Sequence, residues 1–251
     1  MLLTGIKIVD KGEKDNAPTL SSEHYRVYKG DNIYTNDLDK HSHVYNNGIC
    51  DICNKACTHG KYKNGICTYC EYGVEEPQLV GEYYEIGNYG NLIWFQRYVD
   101  AGNVNINAKL TSDIVANENL LDSSGNVQGT PKYNWTPIGK VYSLVQNSYR
   151  GIFDGAGYSI SGLYANSTND YCGFFGKSHD GTIKNLSIVD SYFGESSCYY
   201  VGSFVGNGSG NIENCYSNAT IVGLYYCGGI VGETYWQYLT VYTMVKITAK
   251  R

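Results

Sequence analysis

The sequence predicts an all-β fold: a parallel β-helix with an N-terminal capping helix, preceded by a small Cys/His module. Three observations carry that expectation. The composition favours strands and turns, a short aromatic phrase recurs through the second half, and cysteines interleaved with histidines crowd the stretch from His41 to Cys70. Among 251 residues stand 30 Gly and 26 Tyr, against four Pro and two Met. Aromatic residues suit pleated surfaces and Gly suits turns, so a helical bundle does not fit. Charged residues make up 17% of the chain and the formal net charge is −5, which gives no electrostatic grip on phosphate backbones or anionic lipid. No nucleic-acid partner is expected. No run of about 18 apolar residues occurs, so membrane insertion is not expected either.

Residues 1–40 are polar, rich in Asp and Lys, and read as an extended lead. The opening Met1 to Asp10 is too short for a signal peptide and has no cleavage site. Residues 41–72 follow with five of the nine cysteines. Two copies of one unit lie head to tail here. The first is His41-Ser-His43, then Cys50-Asp-Ile-Cys53; the second is Cys57-Thr-His59, then Cys67-Thr-Tyr-Cys70. In each, Asn-Gly-Ile leads into the first Cys of the Cys-x-x-Cys pair (Asn47-Gly48-Ile49 and Asn64-Gly65-Ile66), supplying the φ > 0 residues of a tight turn that presents the sulfur. Each unit thus offers four nitrogen or sulfur ligands, the set tetrahedral Zn²⁺ prefers. The spacing predicts two structural zinc ions, one on His41, His43, Cys50 and Cys53, the other on Cys57, His59, Cys67 and Cys70. Three alternatives remain open on spacing alone: one ribbon-type site on Cys50, Cys53, Cys67 and Cys70, a set of disulfides, or a redox Cys-x-x-Cys. Four filled ligand positions leave no open site for water, so the metal is read as structural and not catalytic.

Residues 73–148 form the lead-in and cap. Leu92, Phe95 and Val99 recur at helical spacing, with Trp94 and Tyr98 beside them, and predict one amphipathic helix ending at Gly102. Such a helix is expected to cover the bare strand edge of a first coil. Residues 149–232 are the coils. One phrase recurs at Tyr149-Arg-Gly151-Ile-Phe153, Tyr171-Cys-Gly173-Phe-Phe175, Tyr200-Val-Gly202-Ser-Phe204 and Tyr226-Cys-Gly228-Gly-Ile230. A second phrase trails the first three, at Ile160, Ile183 and Ile212. A period of 20–50 residues means a solenoid or propeller, and a four-stranded blade needs more than these offsets allow. Stacked coils would put Ile160, Ile183 and Ile212 in one buried column and Leu163, Leu186 and Cys215 in another, with Asn185 and Asn214 bonding along one turn. Residues 233–251 diverge from the repeat and contain the strand-like Thr240–Thr248.

The phrases at 149–163, and Gly-x-Ile-x-Asn at 181–185 and 210–214, resemble GLUG-type repeats. Such repeats occur in large bacterial cell-surface proteins and in the non-catalytic part of some immunoglobulin-A-specific metallopeptidases. The stretch from Leu92 to Gly139 is similar to the lead-in those repeats commonly carry, and the Cys/His units resemble short zinc-binding repeats of surface proteins in gut Firmicutes. The resemblance implies an extracellular location at the bacterial cell surface.

No His-Glu-x-x-His, Gly-x-Ser-x-Gly, phosphate loop or dinucleotide fingerprint is present. The acids Asp154, Asp180, Asp190, Glu195 and Glu213 read as turn and strand residues, His179 as a loop residue, and no catalytic residues are assigned. Lys184 and Glu213 occupy equivalent positions and are expected to pair. The expected function is a non-enzymatic structural or adhesive module, a fragment of a larger surface protein, whose partner is a host or microbial surface glycan or protein. The alternative is the accessory region of a surface peptidase or glycan-degrading enzyme whose catalytic domain lies elsewhere.

Overall fold

A computed structural model describes residues 26–29, 32–35, 45–50, 56–57, 59, 61–139, 141–142, 145–166, 170–234, 239–243 and 246–249. Strands are the predominant regular structure among the described residues, with one short helix. The chain divides into two compact units, Met1–His59 with Tyr69–Gly73, and Gly60–Thr68 with Val74–Arg251.

In the first unit, Arg26–Lys29 pairs antiparallel with Asn32–Thr35, inside the segment expected to be an extended lead. The strands Tyr45–Asn46 and Ile49–Cys50 form a hairpin closed by Asn47 and Gly48, whose φ values are 49° and 81°. Positive φ at both central residues is the mirror-image turn that matches the twist of paired strands, and it is why Asn-Gly stands there.

The second unit is built on parallel ladders. Helix α1 (Tyr89–Asp100) precedes them; Asn88 caps it by accepting a hydrogen bond from the Asn91 amide at 2.8 Å. It starts three residues before Leu92 because of that cap, and Gly102 (φ 107°) turns the chain away with its amide on the Val99 carbonyl. Leu92, Phe95 and Val99 are fully buried, and the Phe95 ring meets Tyr149 and Phe153 edge-on at 5.9 and 5.7 Å. Burying each such aromatic contributes roughly 1.5–3 kcal/mol. Beyond Asn107–Leu110 the ladder continues through strand Tyr83–Ile86, parallel to it, with Gln78–Val80 antiparallel outside.

From Asn107 onward, parallel pairing recurs. One column runs Ala108, Phe153, Ile183, Ile212, Leu239. A second runs Ile114, Ile160, Ile188, Ser217. A third holds Ala165, Phe193, Ile221 and Ile247. Phe175, Val205 and Val231 form a fourth, and Cys172, Val201 and Cys227 a fifth. Contacts between neighbouring turns span 29, 28 and 26 residues.

This register corrects two expectations. Ile183 and Ile212 do stack, but Ile160 belongs to the next column, beside Ile188. Leu163 is likewise separate from Leu186 and Cys215, since the Leu163 amide donates to the Ser191 hydroxyl. The first phrase, Tyr149 to Phe153, is not the turn below Tyr171: Tyr149 bridges Ser178, and Phe153 lies beside Ile183. The similar phrase serves two different corners, because a Tyr, a small residue and a Phe suit any place where a ring caps a tight bend. The other three copies hold their register. The rings of Tyr171, Tyr200 and Tyr226 stack at 5.0 and 4.8 Å, close to the strand spacing of about 4.8 Å.

The remaining polar expectations are placed as follows. Asn214 donates its side-chain amide to Asn185 (2.9 Å), and Asn185 donates to Asp154 (3.0 Å). Lys184 stands beside Glu213 in register, yet its ammonium pairs with Asp154 at 3.6 Å. Burial alone would raise the Asp154 pKa, but the Asn185 and Ala156 hydrogen bonds and the Lys184 charge outweigh it and hold it below the usual value.

Candidate metal centre

The second Cys/His unit begins as a hairpin. Tyr62–Lys63 pairs antiparallel with Ile66–Cys67 across Asn64 and Gly65, whose φ values are 50° and 72°. Cys67 leaves the strand with its side chain fully buried. A turn held by the Thr68 amide on the Lys61 carbonyl (2.9 Å) then carries the chain to Cys70. His59 takes φ 52°, and its amide donates to the Cys57 sulfur at 3.4 Å. The Gly73 amide donates to the Cys70 sulfur at 3.3 Å.

Cys57, His59, Cys67 and Cys70 each offer one ligand atom, and the four atoms lie within 4.8 Å of one another. The Cys70 sulfur stands 3.4 Å from His59 Nδ1. Zn–S of about 2.3 Å and Zn–N of about 2.0–2.1 Å at tetrahedral angles give an S···N edge of about 3.6 Å, and the Cys70–His59 edge is close to that value. The group's three sulfurs and one imidazole are the donor set of a borderline-soft divalent ion. This group can hold a metal ion. Gly73 is part of the shell's shape, because a Cβ there would overlap His59 Nδ1.

Of the first unit, Cys50 lies in a strand, while His41, His43 and Cys53 fall outside the described residues. Its hairpin repeats the second one turn for turn, and the Gly48 carbonyl accepts from the Cys57 amide at 2.9 Å.

Two hydrogen bonds lay beyond reach of spacing alone. The Asn64 carbonyl accepts from the Gly90 amide (2.9 Å) and the Asn64 side chain from the Tyr89 amide (3.1 Å), so the hairpin tip seats on the N-terminus of α1. Any Cβ on Gly65 would strike Asn88, and one on Gly90 would strike the Gly65 carbonyl. The Asn-Gly pair signals its turn in the sequence, but nothing local signals the helix it docks on.

The acids are spent on structure. Asp190 accepts from the Leu120 and Leu121 amides at 2.8 Å each, anchoring a loop. Asp180 sits between His179 (3.0 Å) and Ser209 (3.1 Å), both outward-facing. A hydrolytic triad of the Ser-His-Asp kind needs the imidazole between acid and hydroxyl; here the carboxylate is in the middle, and the serine hydroxyl bonds it and not the imidazole.

Residues 197–222 match the GLUG motif. The chain contains a GLUG motif. That match takes in strand Tyr199–Val201, strand Val205–Ser217 and the start of Thr220–Gly223. The GLUG motif is a non-catalytic repeat. A protein of Evansella cellulosilytica that carries the provisional name Gly-rich membrane protein is 36% identical over 83 residues, which is 32% of this chain. The match spans only 9% of that relative's length. No solved structure matches the chain. Among the described residues, no helix is long and apolar enough to cross a membrane.

Proposed function

We propose that the chain is a non-enzymatic, extracellular module of a bacterial cell-surface protein, built to hold and present a binding surface for a glycan or protein. The observation that carries this reading is the coincidence of the GLUG match with one turn of stacked parallel strands. On this reading the ladders are the coils of a parallel β-helix over residues 149–232, with 73–148 as lead-in and cap and 233–251 as divergent end. Residues 41–72 form a zinc module that staples a segment too short for its own core. Its metal is structural, since a shell of three sulfurs and one imidazole leaves no position for a reacting water. The similarity to part of a long protein named for a membrane supports surface association.

Purified chain spread over glycan and surface-protein arrays should bind, and screens against polysaccharides and peptides should show no turnover. Hydrolysis that survives purification and disappears in Asp154→Asn or Asp180→Asn would overturn the reading.

A further inference from the structure

Between the strand Ile114–Val115 and the bridge at Ile138, residues 116–137 run without helix or regular strand. Irregular connections longer than about 12–15 residues inside a compact domain are usually functional. This one is pinned in place. Asn117 is buried; its amide donates to the Tyr133 and Gly162 carbonyls (2.9 and 2.8 Å), and its oxygen accepts from the Lys132 and Tyr133 amides (2.9 and 3.0 Å). Gln128 bonds the Leu121 carbonyl at 2.8 Å, and Asp190 holds the Leu120 and Leu121 amides. Opposite stands the hairpin tip, fixed by Asn64 to α1 and, through its side-chain amide, to the Val115 carbonyl at 2.8 Å.

Between these walls lies a cleft of about 390 Å³, inside the range of about 300–1,000 Å³ that small-molecule sites occupy. Its lining combines two cations, Lys63 and Lys132, with the carboxylate of Glu118, the Gln128 amide, Thr130 and the half-buried ring of Tyr133. In a chain of net charge −5, two lysines meeting at one preformed cleft select an anion. Glu118 selects among anions. Glu118 repels every anion, and an acidic sugar offsets that repulsion with the hydroxyl donors it carries beside its acid group, using both a cation and an acceptor. The Tyr133 ring carries the Lys132 ammonium over it, 4.8 Å from its centroid, and so helps to place that cation at the cleft.

We infer that this cleft binds an acidic sugar residue of a surface polysaccharide, held by Lys63 and Lys132 through its carboxylate or sulfate and by Glu118 through a neighbouring hydroxyl. The inference rests on the reading of the chain as a binding module and names its site. Titration calorimetry on the full chain tests it with a galacturonate oligomer, a sulfated galactose oligomer of the same length, an uncharged galactose oligomer and an oligoglutamate. Heat of binding is expected from one or both acidic sugars, identifying the acid group, and not from the uncharged oligomer. The Lys63→Gln/Lys132→Gln double variant should melt like the parent, since both side chains are exposed, and bind at least about tenfold more weakly. Equal binding of the uncharged sugar or of oligoglutamate overturns the assignment, as does a double variant that binds as tightly as the parent. Array binding undiminished in the double variant would sink the cleft and leave the module reading standing; a parent chain that binds nothing in either format sinks both.

Discussion

At the scale of single residues, the Cys/His shell makes the sharpest claim. Both units carry four ligands, so metal analysis of protein grown in zinc medium is expected to give about two ions per chain. His59→Ala or Cys67→Ser should remove one. A ratio near one, with His43→Ala and His59→Ala both silent, would instead favour a single site on the four Cys-x-x-Cys sulfurs. Gly73→Ala is the subtler test: it deletes no ligand, but its methyl group displaces the His59 ring, and zinc affinity should fall while the other Cys/His unit stays loaded. Cys215 is a different kind of cysteine. Burial pushes its thiol up to about 11 from 9.0, against the opposing pull of the backbone at Leu186 and Glu213. A folded pKa raised above the unfolded one means this contribution to stability is whole below about pH 9 and drains away as pH rises through about 11. Cys215→Ala should flatten that alkaline loss in a series of melts, and thiol reagents should leave Cys215 unmodified at neutral pH.

At the scale of elements, register decides the energetics. Ile183 is 1% exposed and stands between Phe153 and Ile212. Ile183→Asp would bury an unpaired charge between Phe153 and Ile212, and a cost of about 3–5 kcal/mol is expected. A melting curve unchanged by that substitution would refute the column. The hairpin tip offers a second test. Gly65 holds φ 72° against Asn88, so Gly65→Ala combines backbone strain with a clash. Destabilisation of at least about 1–3 kcal/mol should follow; Gly81→Ala is the control, with a similar φ of 62° and open space around it.

At the scale of the whole molecule, the metal ligands and the apolar interior are separate assets. Cys57, Cys67 and Cys70 lie outside the contiguous core that runs from Ile66 to Ile230. Chelation is therefore expected to act locally: hydrogen exchange should speed up over residues 45–73 and stay slow over 149–232. Loss of protection throughout the ladders on zinc removal would contradict that separation.

The local patterns were legible because local chemistry writes them. Helical spacing of Leu92, Phe95 and Val99 marked α1, Asn-Gly marked both hairpin turns, and Asn185 and Asn214 marked a column. The second Cys/His unit, too, was visible as a spacing before its atoms came together. Tertiary structure alone decided which turn stacks on which. Register depends on how many residues each corner consumes, and corners vary: the Phe175–Lys184 ladder slips between Ser178 and Gly181, and the strand after Ile212 slips against Leu239–Thr243 between Glu213 and Cys215. A repeated phrase cannot report those slips, which is how Ile160 came to stand beside Ile188. The same holds for the cleft. Lys63 and Lys132 are far apart in the chain and belong to no motif, and only the seating of one hairpin on a helix brings them to a common opening.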